Sequence, residues 1–331
     1  MLIANPNLAL DRLVTLAEIV PGAVMRSRRT ELSAGGKGVN VARVLRAHGV
    51  RVPLLGLLCS GDGALLAGLL AEEGADLVAV PTPGTVRQAL VFREAAAGRI
   101  TVVNEPGDPV PPAAWHAYLD AAAARLGPGE LLTASGSLPT GVPASGYRQL
   151  VELAHRGDAV VVLDAAPGAL AAALPAGPDL VAPNLEEAEA ALSGASADVL
   201  PVPDGTDVRD RACAAAQALV DAGARRAAVT AGAAGTAFAT RESLDWIPTV
   251  PVTVVSAVGA GDSFVGGLAL ELLAREGAAH AGRDDWRAAV VRGVATATAS
   301  CETPLAGGVD PARAEALRGK IEALSAKVGA R

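Results

Sequence analysis

From about Pro111 to its end the chain alternates helical-period segments with short apolar runs, and this rhythm restricts the fold more than any other feature. It reads as a helix to Leu126, a strand at Glu130 to Ala134, a helix at Ala144 to His155, strands at Ala159 to Asp164 and Leu180 to Ala182, and a helix at Glu186 to Leu192. A surface loop is expected at Ser193 to Thr206, which is rich in Gly, Pro and Asp, before a helix near Val208 to Ala222. Strands follow around Ala227 to Thr230, Gly235 to Thr240 and Leu244 to Pro248, with helices starting at Ala260, Asp284 and Pro311. Strand-helix-strand units joined by short connections give a mostly parallel sheet with helices on both faces.

Before Pro111 the rhythm is interrupted. A strand near Leu2 to Ala4, a helix at Val39 to His48 stopped by Gly49, a strand at Val52 to Leu58 and a helix at Gly63 to Glu73 fit the same scheme. Asp11 to Leu32, broken at Pro21 and Gly22, reads instead as extended pieces, and Val86 to Phe92 with Arg99 to Val103 resemble a hairpin. These segments, from about 11–34 and 85–104, are expected to form a small sheet covering one edge of the main body. Residues 1–331 otherwise read as a single domain.

Composition removes several function classes. Hydrophobic residues make up 51% of the chain, but alanine is the commonest of them and they are spread among Gly, Pro and Arg. They form no run of the ~18 to 20 apolar residues that a spanning helix needs. The start, MLIANPNLALDR, has neither the basic opening nor the apolar stretch of an export signal, so no membrane partner and a cytoplasmic location are expected. A net charge of −7 offers no general attraction to nucleic acid. The three cysteines, Cys59, Cys213 and Cys301, lack the spacing of a zinc site. Only three lysines occur, Lys37, Lys320 and Lys327, so the one inside a glycine cluster stands out.

The strongest chemical signal is VSAVGAGDSFVGGLALELL, Val255 to Leu273. A β-branched run passes into Gly259, Ala260 and Gly261, then Asp262, then an apolar helix. Glycines let the backbone turn sharply and approach a ligand, and the free amides at a helix start attract phosphate. A carboxylate beside those amides can accept a hydroxyl proton while they hold a phosphoryl group in transfer. The competing expectation is that Asp262 only caps the helix.

A second glycine loop, SAGGKGVNVARVLRAHG at Ser33 to Gly49, opens a helix and carries Gly35, Gly36, Lys37 and Asn40. It is neither a Walker loop nor a dinucleotide fingerprint, but bare amides with a lysine and an asparagine suit a hydroxylated anionic ligand. Arg87 in TVRQALVF offers the forked contact that a phosphate monoester prefers, or it is a solvated strand arginine. Asp11 in NLALD either accepts sugar hydroxyl protons or ends a strand. Ser137 in SGSLPTG follows a strand whose carboxyl end lies on the ligand-binding edge of an open α/β sheet. Asn184 and Glu187 in PNLEEAE stand three apart at a helix start, which suits water-mediated magnesium ligation or an ordinary capping box. Thr230, Gly232 and Gly235 in VTAGAAG make a third glycine turn, suited to nucleotide phosphates or to a hairpin.

In order and spacing, NLALD, AGGKGVNVARVL, SGSLPTGV, PNLEEAE and VGAGDSFVGG resemble the motifs of the PfkB branch of the ribokinase-like carbohydrate kinases, particularly its phosphosugar members. The resemblance implies a ribokinase-like three-layer α/β sandwich with a β-sheet lid and a homodimer formed through that lid. It also implies transfer of the ATP γ-phosphoryl group, with Mg2+, to a ketohexose phosphate; a phosphorylated tagatose or fructose, a free sugar or nucleoside, and a silent sugar-phosphate sensor stay open. By the same resemblance Asp262 is the base and Gly259, Ala260 and Gly261 form the anion hole. Asp11, Gly35, Gly36, Lys37, Asn40, Arg87 and Ser137 surround the sugar phosphate; Thr230, Gly232 and Gly235 meet the nucleotide; Asn184 and Glu187 govern magnesium. The chain departs from the pattern at Leu8, Ala89, Ser256 and Ala257, and VTAGAAGT replaces the usual SLGxxGA.

Overall fold

The computed structural model describes residues 1–194, 208–274 and 281–328. Most of the loop expected at Ser193 to Thr206 therefore lies outside the described residues. The strands are β1 (Leu2–Ala4), β2 (Ala9–Leu16), β3 (Arg29–Gly35), β4 (Pro53–Cys59), β5 (Asp76–Thr82), β6 (Arg87–Glu94), β7 (Arg99–Asn104), β8 (Leu131–Gly136), β9 (Val160–Ala165), β10 (Leu180–Val181), β11 (Ala227–Thr230), β12 (Thr236–Ala239) and β13 (Leu244–Ile247). The helices are α1 (Lys37–Ala47), α2 (Gly63–Glu72), α3 (Pro112–Ala123), α4 (Gly146–Arg156), α5 (Pro167–Ala173), α6 (Leu185–Ser193), α7 (Val208–Asp221), α8 (Ala260–Leu273), α9 (Arg283–Ser300) and α10 (Pro311–Val328).

Among the described residues, nine strands form one sheet in the order β13-β12-β11-β10-β9-β8-β1-β4-β5. It is parallel from β11 to β5, and β12 and β13 add an antiparallel edge. The interior parallel strands are buried and mostly apolar because helices cover both of their faces. Successive side chains alternate between two cores: Leu2, Ala4, Leu132, Ala134, Val161 and Leu163 enter one, while Ile3, Leu131, Val160 and Val162 enter the other. Residues of α3 to α7 cover the first face, and residues of α1, α2, α8, α9 and α10 cover the second. This is the expected three-layer sandwich.

Two elements were not legible in the rhythm. β5 ends in a proline-bearing stretch whose register begins Pro53 to Asp76, and as the sheet's edge strand it shows no clean apolar run. α5 is a short alanine-rich turn set between β9 and β10, where the sequence suggests two successive strands.

A second, four-stranded sheet runs β3-β2-β6-β7. Its strands come from the two regions expected at 11–34 and 85–104. The hairpin β6/β7 is antiparallel, with Ala89 opposite Asn104, but β6 joins the rest by pairing in parallel with β2, Ala9 opposite Arg87. That register places Arg87 beside the start of β2 and Asp11 two residues further along it.

β1 carries the point where the sheet's order reverses, since β4 lies on one side of it and β8 on the other. Crevices at the carboxyl ends of strands beside such a reversal are where open α/β sheets bind ligands. The chain leaves β1 at Asn5, β8 at Gly136, β9 at Ala165 and β11 at Thr230, all on this edge.

Candidate active site

Asp262 lies in the first turn of α8, and its side chain is buried, with 5% of the residue exposed. It does not cap that helix. The cap is Gly259, at φ 78°, with no side-chain hydrogen bond. A Cβ at Gly259 would stand 2.9 Å from the Ala306 Cβ, so the turn is both left-handed and tightly covered. The Ala260 amide donates to the Ala257 carbonyl at 3.2 Å, whereas the Gly261 amide has no backbone acceptor among the described residues.

Asp262 faces a polar cavity of about 610 Å3 that also meets Lys37, Asp164, Glu187, Thr230 and Gly232. An apolar cavity of about 520 Å3, lined by Val250, Pro251, Val252, Phe264 and Val294 among others, adjoins it. Thr230, Gly232, Ala257, Ala260 and Gly261 line both, so the two form one cleft, ionic at one end and apolar at the other. Of the third glycine turn, Thr230 and Gly232 face this cleft. Gly235, at φ 143°, instead turns the chain into β12, and a Cβ there would strike the Ile247 carbonyl and the Trp246 ring.

Lys37 reaches across the ionic end. Its Nζ lies 3.1 Å from Asp164 Oδ1 and 3.3 Å from Glu187 Oε1. Burial alone would lower this ammonium, but the carboxylates of Asp164, Glu187 and Asp262 outweigh it and hold the proton firmly. Burial pushes Asp262 up to about 7, against the attraction of Lys37 and the hydrogen bond from Asn40. Burial also raises Asp164, 3% exposed, whose Oδ2 has no hydrogen-bond partner among the described residues.

Asn184 and Glu187 form the capping box of α6. Asn184 Oδ1 accepts from the Glu187 amide at 2.8 Å, and Glu187 Oε2 accepts from the Asn184 amide at 3.1 Å. Both residues line the ionic cavity, with Glu187 Oε1 turned to Lys37.

The remaining expected residues gather where the small sheet meets the β1/β8 edge. Gly35 leaves room for the Asp11 carboxylate, which a Cβ there would displace. Gly36, at φ 125°, lies against Asn5, whose Oδ1 accepts from the Val39 amide at 3.3 Å. Ser137 Oγ accepts from Asn7 Nδ2 at 2.9 Å, and the Asn7 carbonyl accepts from Arg87 Nη2 at 3.2 Å. Arg87 Nε is buried with no hydrogen-bond partner among the described residues, and burial lowers this guanidinium. Burial raises Asp11, while Arg43 and Arg87 pull it down. Asn40 Nδ2 donates to Asp262 Oδ2 at 2.6 Å, which joins this group to the cleft.

Sequence reasoning passed over Asp164, Asn5, Asn7 and Arg43. An acid ending the apolar run VVVLD was a usable signal for Asp164, because a charge there must face the open end of the sheet. The other three act through contacts that no local pattern reveals.

Residues 7–313 match the family described as pfkB family carbohydrate kinase. The chain is 37% identical over 270 residues to 1-phosphofructokinase from Rhodobacter capsulatus, covering 79% of this chain and 80% of that one. It is 34% identical over 275 residues to 1-phosphofructokinase from Escherichia coli K12, covering 83% and 84%. Among solved structures, phosphofructokinase-2 from Escherichia coli in complex with potassium superposes with a TM-score of 0.83 at 27% identity, over 97% of this chain and 99% of that one. A ribokinase from Thermotoga maritima shares the fold at a TM-score of 0.70 and 18% identity, over 96% and 98%. The chain therefore has a ribokinase-like fold and belongs to the pfkB family of carbohydrate kinases, which makes it a sugar kinase, a phosphotransferase acting on an alcohol group.

Proposed function

We propose that the chain transfers the γ-phosphoryl group of ATP to a hydroxyl of a ketohexose phosphate, fructose 1-phosphate first, with Asp262 as general base. The observation that carries this reading is the position of Asp262, buried on the seam between the ionic cavity and the glycine turn. Such a carboxylate can take the hydroxyl proton while the Gly259, Ala260 and Gly261 turn cradles the phosphoryl group. The apolar cavity suits a nucleobase, and Thr230 and Gly232 lie where the phosphates would pass into the ionic end.

Magnesium fits the ionic end as a hard cation among oxygen donors. Glu187 and the unpaired Asp164 Oδ2 would hold it through water, with Asn184 fixing Glu187 by the capping box. When bound it would neutralise phosphate charge. We read Lys37, expected beside the sugar's own phosphate, as meeting the transferred phosphoryl group instead, because its ammonium lies between Asp164 and Glu187. Arg87 suits the latter, since its buried Nε has no partner and Asp11 lies across the adjoining register.

The named relatives favour a phosphorylated sugar. Fructose 6-phosphate is the second reading, because a relative at 28% identity from Mycobacterium tuberculosis is named ATP-dependent 6-phosphofructokinase isozyme 2. We read the small sheet as a lid that closes over the sugar and excludes water, within one kinase domain. The exposed Ile100, Val102 and Val103 on β7 suit pairing of two lids in a homodimer.

An ADP-release assay on fructose 1-phosphate, fructose 6-phosphate, tagatose 6-phosphate, free fructose, ribose and adenosine tests the substrate class. Turnover is expected on the phosphates, and Arg87→Ala should raise the sugar-phosphate KM roughly 10- to 100-fold, the loss of a charge-assisted contact, with kcat nearly kept. Efficient turnover of free sugar or nucleoside, indifferent to Arg87→Ala, would end the phosphosugar reading.

A further inference from the structure

Arg43 is an arginine inside the protein, 5% exposed, one helical turn beyond Asn40 on α1. A buried guanidinium is costly unless its donors are met, and here all of them are. Nε and Nη2 grip Glu73 Oε2 and Oε1 at 2.7 Å each, a forked pair. Nη2 also donates to the Ala34 carbonyl at 2.6 Å, and Nη1 donates to Asn40 Oδ1 at 2.7 Å and to the Ala306 carbonyl at 3.3 Å.

Apart from Glu73, which follows α2, each acceptor borders the site. Ala34 immediately precedes Gly35 and Gly36. Ala306 is the residue that a Cβ on Gly259 would strike, and a Cβ on Gly307 would come within 2.6 Å of the Asn40 carbonyl. Asn40 turns its other amide atom, Nδ2, to Asp262. An asparagine amide has two nearly isosteric ends, and a flip would point its oxygen at the Asp262 carboxylate. The guanidinium beside Oδ1 forbids that flip, because it would then face an NH2 group.

We infer that Arg43 is a positioning residue for phosphoryl transfer: held by Glu73, it fixes the Asn40 amide so that Nδ2 addresses Asp262, and it ties the sugar-side glycine loop to the segment that backs the Gly259 turn. The inference rests on the reading of Asp262 as the base. Arg43 touches no reacting atom; it acts through Asn40. The relation is directional, so the effect of removing Arg43 must depend on whether Asn40 is present.

The experiment is a double-mutant cycle on the full chain with fructose 1-phosphate and ATP, using Arg43→Lys, Asn40→Ala and the pair, with thermal melts alongside. Lysine keeps a charge for Glu73 and loses the fork to Asn40 and Ala34. A second set, Arg43→Met with Glu73→Gln, removes the buried charge pair together, should lysine fail to fold. Arg43→Lys is expected to lower kcat roughly 10- to 100-fold in the parent and less than about threefold in the Asn40→Ala background. The rising limb of kcat against pH should also move up, since Asp262 then loses the donor that favours its charged form while Lys37, Asp164 and Glu187 still face it. Equal losses in both backgrounds, or an unmoved pH limb, would make Arg43 a structural residue and overturn the inference. Asp262→Asn, run in parallel, separates the failures. Normal turnover in that variant would remove the base reading itself, whereas an inactive Asp262→Asn beside an additive cycle removes only the role of Arg43.

Discussion

Helices α8 and α6 both begin on the cleft, and they begin in opposite ways. At α8 the cap is a left-handed glycine with no side chain to offer, and the acid in the first turn is left facing the cavity. At α6 an extended asparagine and a glutamate answer each other's backbone amides in a complete capping box. The first arrangement leaves backbone N–H groups and a positive helix end for a ligand; the second satisfies them internally. α1 follows the first pattern, capped by Gly36 at φ 125°, although Asn5 meets one of its amides. The proposed anion sites thus fall at helix starts without a side-chain cap, whereas the capped start of α6 holds the Glu187 carboxylate still.

The sharpest way to break that contrast is Asp262→Asn. Loss of the base at an uncapped helix should lower kcat by about 10²- to 10⁴-fold with sugar binding nearly intact, measured by steady-state kinetics and titration calorimetry. Near-normal turnover would reduce Asp262 to a buried polar residue. Gly259→Ala comes next. It forces a side chain into a left-handed turn against Ala306, at a cost of roughly 1–2 kcal/mol in thermal stability. It also displaces the amides, for a loss on the order of 10²-fold in kcat. Unchanged kcat in the folded variant would show that these amides do not cradle the phosphoryl group.

The pH profile of the parent enzyme gives a smaller effect. Burial holds Asp262 protonated, and therefore unable to accept a proton, below about 7. The rate should fall about tenfold per pH unit beneath that point, through a limb absent from Asp262→Asn. Asn184→Ala should cost least, about 1 kcal/mol in a thermal melt for a lost cap. If it instead multiplied the magnesium needed for half-maximal rate, Asn184 would act on the metal directly and the capped helix would not be the inert partner in the comparison.

A great deal was settled locally. Apolar runs such as VVVLD and helical spacing after glycines follow from short-range periodicity, so the order of most elements (β5 and α5 excepted), the separate small sheet and the position of Asp262 at a helix start were readable along the chain. The same holds for the residues that mark the family. What depends on contacts between distant segments was not. Which carboxylates Lys37 meets, that β6 joins β2 in parallel, and that Asn40, held by Arg43, faces Asp262 were decided only when folding brought together segments far apart in the chain. Periodicity specifies which face of an element is buried; it carries no information about which polar group from elsewhere will complete a buried donor or acceptor, and those pairings make the site.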